Sequence, residues 1–217
     1  MSEPIVLYGN KPVTSPYVFS VFVALEEKAL SYELRLLSLE GGEHLEKEYV
    51  ANSLTNRVPT LVHGDFWLSE SSAIVEYLEE TFPPPQYARL YPADPRQRAR
   101  VRMVQGLIRS DFSTIREERS TETVFQRASA GSLSLAALGS VERLFRIAGQ
   151  LVSGAGSTIA GEFSIADVDL AMMLQRLIAN RDPVPQPLVD YANAIWDRPS
   201  LRKWLALTQY QAPRSGH

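Results

Sequence analysis

Along the first eighty residues the apolar positions switch repeatedly between a period of two and a period near that of a helix. Ile5-Val6-Leu7-Tyr8 is a β-branched, apolar run closed by Gly9-Asn10, and a loop rich in Pro, Thr and Ser leads to Pro16. From Pro16 to about Lys28, the residues Val18, Phe19, Val21, Phe22, Ala24 and Leu25 recur at helical spacing, with Ser15 as N-cap and Pro16 at the first helical position. Tyr32 to Leu39 predicts a second strand and Glu43 to Val50 a short, charged helix. Thr60 to His63 and Phe66 to Leu68, joined by Gly64-Asp65, predict a hairpin, and Ser69 to Phe82 a capped helix. The predicted order is β-α-β-α-β-β-α.

The pattern then changes. Phe82-Pro83-Pro84-Pro85 cannot continue a helix, and the chain stays irregular to Tyr91-Pro92. Beyond Asp94 the periodicity is helical throughout, over about 95–119, 134–153, 165–179, 187–196 and 200–209. The expected division is an α/β domain at 1–83, a linker at 84–93 and an all-α domain at 94–217. The helix entered through Ser164-Ile165-Ala166-Asp167 is apolar around most of its circumference and belongs inside the second domain. Its entry is a capping box with Asp167 in the place usually given to Glu, so Ser164 and Asp167 are structural.

Composition narrows the chemistry. A net charge of −3, with no Lys/Arg block, gives no face for nucleic acid. Cysteine is absent, which excludes disulfides, thiolate metal sites and a protein-thiol nucleophile. The start carries no basic segment ahead of an apolar core, and no span approaches the roughly 20 apolar residues of a membrane helix, so the expectation is a cytoplasmic protein with no membrane partner.

Several segments resemble the cytosolic glutathione transferase family. Gly42-Glu43-His44-Leu45, Asn56-Arg57-Val58-Pro59-Thr60-Leu61 and Ser69-Glu70-Ser71-Ser72-Ala73-Ile74 are similar to three successive glutathione-contacting segments of theta-like members. Gly161 to Asp167 resembles the family's capping segment in the C-terminal domain, and Arg198-Pro199-Ser200-Leu201 the start of its late helix. Ser15-Pro16-Tyr17-Val18 is nearer a tau-like pattern, and the whole chain looks most like a bacterial, serine-type group with peroxidase activity. The resemblance implies a thioredoxin-like N-terminal domain, an all-helical C-terminal domain and a homodimer. It also implies glutathione as co-substrate, no bound cofactor or metal, and a small hydrophobic electrophile or hydroperoxide as second substrate.

Glutathione presents two carboxylates, one ammonium and one thiol. Lowering a thiol pKa of about 8.5 by roughly 2 units takes about 2.7 kcal/mol of preference for thiolate, which one aimed hydroxyl at a helix N-terminus can supply. Read from the residues alone, Ser15 is an N-cap; with the resemblance it is the catalytic hydroxyl, and Thr14 is the alternative. Tyr8, at the end of the first strand, is a third candidate. The resemblance makes Pro59 a structural cis proline and Val58 a backbone ligand. Ser71 and Glu70 then meet the γ-glutamyl end, and His44 and Arg57 the glycyl carboxylate. Arg98, Arg102, Arg109, Asp111 and Arg116, on the helix from Pro95, are candidates for the second-substrate pocket or a dimer face.

Overall fold

The computed structural model describes residues 3–126, 130–153 and 158–208. β1 (Ile5–Asn10) runs parallel to β2 (Glu33–Leu37) and antiparallel to β3 (Thr60–His63), and β4 (Phe66–Ser69) closes the sheet in the order β2-β1-β3-β4. The parallel pair needs a crossover, which α1 (Pro16–Glu27) supplies. α2 (Lys47–Asn52) and α3 (Ser71–Thr81) complete a thioredoxin-like N-terminal half. The helical half comprises α4 (Pro95–Ser110), α5 (Ser113–Glu118), α6 (Thr121–Phe125), α7 (Leu135–Ser153), α8 (Ile165–Ala179), α9 (Gln186–Trp196) and α10 (Pro199–Leu207). No described helix is long and apolar enough to cross a membrane.

α1 is buried from Val18 through Leu25 without a break, because it packs on β1 and α3 to one side and on α8 and α10 to the other. Gly9 permits the close approach to the sheet, since a Cβ there would stand 2.9 Å from Val18 Cγ1. Phe19 meets Phe125 edge-on and Trp196 and Trp204 at a tilt, so the apolar core runs across both halves. α8 is buried from Ile165 through Leu177, as its all-round apolar sequence requires.

Three expected helix boundaries shift, and one short helix falls where none was expected. The helix expected over Glu43 to Val50 divides into a 3-10 turn at Glu43–Leu45 and α2. Ser69 belongs to β4, paired with Thr60, and α3 starts after Glu70. The helix expected over 95–119 breaks at Phe112, a buried residue with φ 60°, yet Ile108, Phe112 and Ile115 keep helical spacing across the break and all reach the core. α6 has only five residues, too few to declare a period. The expected end of the last helix at 209 lies outside the described residues.

Candidate functional site

The loop between β1 and α1 is fastened by Asn10, a buried side chain that works in both directions. Its Oδ1 accepts from the Ser15 backbone N–H (3.1 Å), and its Nδ2 donates to Thr14 Oγ1 (3.1 Å). Val13 turns through φ 53° to make this possible. Ser15 then caps α1, its Oγ accepting from Val18 N–H at 3.3 Å. A hydroxyl that accepts still has its one hydrogen to donate, and here it stands at the positive end of a 12-residue helix. Thr14 is buried, with its oxygen occupied by Asn10.

Beside this loop a cleft of about 200 Å³ is lined by Tyr17, Thr55, Arg57, Val58, Pro59, Glu70, Ser71 and Arg109. The Val58-Pro59 bond is cis. The Arg57 carbonyl just before it is held by Tyr49 Oη (2.7 Å) and Thr60 Oγ1 (3.0 Å), both donating. At the opposite wall Glu70 sits at φ 74°, ψ 114°, a conformation rare outside glycine, and its carbonyl accepts from Ile74 N–H to begin α3. Such strain, of order 1–3 kcal/mol, is retained where the surroundings impose it, and it commonly marks a site. Ser71 is buried, and its Oγ accepts from Arg109 Nη2 at 3.4 Å.

Arg57, Val58, Pro59, Glu70 and Ser71 therefore share one cavity, although up to 14 positions separate them in the chain. Ser15 and Thr14 stand next to it through Pro16 and Tyr17. His44 lies on the 3-10 turn, outside the lining, with its Nδ1 enclosed and without a partner among the described residues. Glu43 pins that turn: Lys11 pairs with its carboxyl at 2.6 Å and the Ser38 N–H donates to it at 2.7 Å, and both hold the carboxyl below its ordinary pKa. Tyr8 is removed from the site altogether. Its ring leaves the opposite face of β1 from Leu7, and it stacks on Trp67, meets Tyr49 edge-on and accepts a hydrogen bond from Arg35.

A smaller cavity adjoins the cleft between α1, α4 and α8, and shares Tyr17 and Arg109 with it. Of the five charged residues expected near a second-substrate pocket, Arg109 and Arg116 line this cavity. Arg98 instead binds the Pro92 carbonyl, Arg102 pairs with Glu76 at 2.6 Å, and Asp111 pairs with Arg143 at 2.5 Å. Among the described residues no group of three His, Asp or Glu side chains could hold a metal.

Family models agree with this architecture. One described as glutathione S-transferase, N-terminal domain, matches residues 12–86, and one described as glutathione S-transferase, C-terminal domain, matches 94–210. The chain belongs to the glutathione S-transferase family. It is 32% identical over 196 residues to a maleylacetoacetate isomerase of Rattus norvegicus, covering 86% of this chain and 88% of the relative. It is 37% identical over 87 residues to human glutathione S-transferase theta-2, covering 40% of this chain and 35% of the relative. A crystal structure of a Burkholderia glutathione transferase homolog with bound glutathione is similar at 38% identity and TM-score 0.78, covering 95% of this chain and 98% of that one.

Within this transferase the sequence pattern left several site residues unread. Asn10, Tyr49 and Thr60 act through the loop ends they fasten, and nothing in their local spacing marks them. Tyr17 and Thr55 carry one weak signal each, adjacency to Ser15-Pro16 and to Arg57.

Proposed function

We propose that this chain binds glutathione in the 200 Å³ cleft, stabilises its thiolate with the Ser15 hydroxyl and directs it at a small electrophile or an organic hydroperoxide. The observation that carries the reading is the convergence on one cleft of Val58, beside the cis proline, with Glu70 and Ser71 at the start of α3. The Val58 backbone suits the cysteinyl part of glutathione as an added strand would. Ser71 and the first N–H groups of α3 suit the γ-glutamyl carboxylate, and Glu70 its ammonium. Arg57 and His44 take the glycyl end. Residues 1–83 hold glutathione and 94–217 the second substrate, in a cytoplasmic homodimer. Ser15 is chosen over Thr14 because Thr14 is buried, whereas Ser15 is half-buried at the helix mouth.

The test is steady-state turnover of glutathione with an aryl halide, cumene hydroperoxide and a small disulfide, repeated on Ser15→Ala and Thr14→Ala. Ser15→Ala should lose about 10- to 100-fold in kcat/KM, the worth of one charge-assisted hydrogen bond. Loss confined to Thr14→Ala would move the role to that residue. If no substrate turns over and glutathione leaves the melting temperature unchanged, the chain is a non-catalytic interaction module. A second reading, isomerisation of maleylacetoacetate, is supported by the likeness to the rat isomerase, and the same panel reads it when that compound is added.

A further inference from the structure

The small cavity beside the cleft has room for about 30 Å³ and is walled by Tyr17, Arg109, Arg116, Asp169, Met172 and Arg176 among others. Three guanidinium groups thus face one carboxylate. Only Arg109 is paired with it, Nη1 donating to Asp169 Oδ2 at 2.8 Å. Arg116 donates from Nη1 to the carbonyls of Ile108 and Asp111. Arg176 is 3% exposed, donates from Nη1 to the Arg119 carbonyl at 2.7 Å, and has no carboxylate within ion-pair distance among the described residues. The Nε atoms of both Arg109 and Arg176 are buried without a hydrogen-bond partner among the described residues.

Buried arginines are ordinarily paired, because an uncompensated charge and an unmet donor each cost free energy in the interior. Two such arginines among the residues that line one cavity, with two guanidiniums in surplus over the single carboxylate, make its lining electrostatically suited to an anion. We propose that this cavity binds a carboxylate carried by the second substrate, so that the electrophile this chain prefers is an organic acid. The inference rests on the proposed function for where the thiolate stands, since Tyr17 and Arg109 link the two cavities. The small volume favours a compact anion. A guanidinium fork also matches a planar carboxylate. The apolar part of the acid extends past Tyr17 into the adjoining cleft. Burial and the neighbouring Arg116 together bring the Arg176 pKa down to about 10, which an arriving carboxylate would relieve.

The experiment titrates the full chain calorimetrically with 4-methylbenzoate and with 4-methylbenzamide, a neutral partner of the same shape, in the presence and absence of S-methylglutathione. The acid is expected to bind about 10- to 100-fold more tightly than the amide, the range of a charge-assisted contact. Arg176→Met should abolish that difference and Arg176→Lys retain part of it. Equal affinity for acid and amide in the wild type overturns the proposal, as does a folded Arg176→Met that still discriminates, or inorganic phosphate binding more tightly than the acid. If the methionine variant does not fold, the wild-type pair decides alone. Neither titration needs turnover, so a chain that binds the acid but catalyses nothing would sink the proposed transferase chemistry and leave this site standing.

Discussion

Ser15 holds two roles on one oxygen, accepting the cap bond from Val18 N–H while its hydrogen is the proposed donor to the thiolate. Glycine separates them, because an N-cap glycine costs helix stability only a few tenths of a kcal/mol yet has no hydroxyl. Ser15→Gly should therefore melt within about 1–2 °C of the wild type. Thiolate absorbance of bound glutathione should titrate at about 6.5 in the wild type and at about 8.5 in the variant. Since only the thiolate reacts, the variant's rate deficit should be widest near neutral pH and close above about pH 9. An unshifted titration in Ser15→Gly would remove the hydroxyl from the mechanism. Ser15 was legible because Ser-Pro ahead of an apolar period is a cap pattern. Asn10 was not, since its role depends on a loop that returns through a left-handed Val13 to bring positions 14 and 15 within reach. Ser69 misled in the other direction. It has a good cap side chain, but the strand register sends its hydroxyl to Ser53 and Thr60.

At the scale of elements, the entry to α8 shows how much stability one anticipated cap carries. Asp167 is fully buried and accepts four hydrogen bonds, from Ile159 N–H (2.8 Å), Ser164 N–H (2.8 Å), Ser164 Oγ (2.8 Å) and Tyr191 Oη (2.9 Å). Burial pushes its carboxyl up while those donors pull it down, and burial prevails. The capping box itself was readable from Ser164-Ile165-Ala166-Asp167; the bonds from Ile159 and Tyr191 were not, because they come from outside the local window. Asp167→Asn keeps the shape but turns an amide N–H₂ toward donors, so at least one buried donor loses its acceptor. The expected cost is about 2–4 kcal/mol, read as a lower urea midpoint at unchanged slope. A loss under about 0.5 kcal/mol would mean that the side chain reorients and that the network does not hold the helix entry. The break between α4 and α5 teaches the converse: periodicity reports which side chains reach the core, and the backbone can turn at Phe112 without disturbing that.

At the scale of the molecule, the linker expected at 84–93 is fastened from within. Lys28, at the end of α1, is wholly buried; its Nζ meets Glu79 of α3 at 2.7 Å and donates to the carbonyls of Phe82 and Ala88 at 2.9 Å each. Glu79 also accepts from Leu90 N–H, and Leu90 in turn accepts from Ile165 N–H at the start of α8. One cation thereby ties the thioredoxin-like half to the helical half through the Pro-rich segment. Arg198 with Glu27, and Lys203 with Glu26, add ties from α1 to the C-terminal helices at the same end of α1. Lys28→Met leaves Glu79 as an unpaired buried charge and should cost about 3–5 kcal/mol. Removing the charge as well, in Lys28→Met with Glu79→Leu, should recover only part of this. A bare ion pair replaced by apolar side chains often comes out neutral, but here two carbonyls and the Leu90 N–H lose their partners too. Because the apolar core is continuous through Phe19, the loss should reach both halves together. Amide exchange in β1 and in α9 should accelerate by the same factor in Lys28→Met. Acceleration confined to β1 would show two independently folding domains, with Lys28 holding only the first.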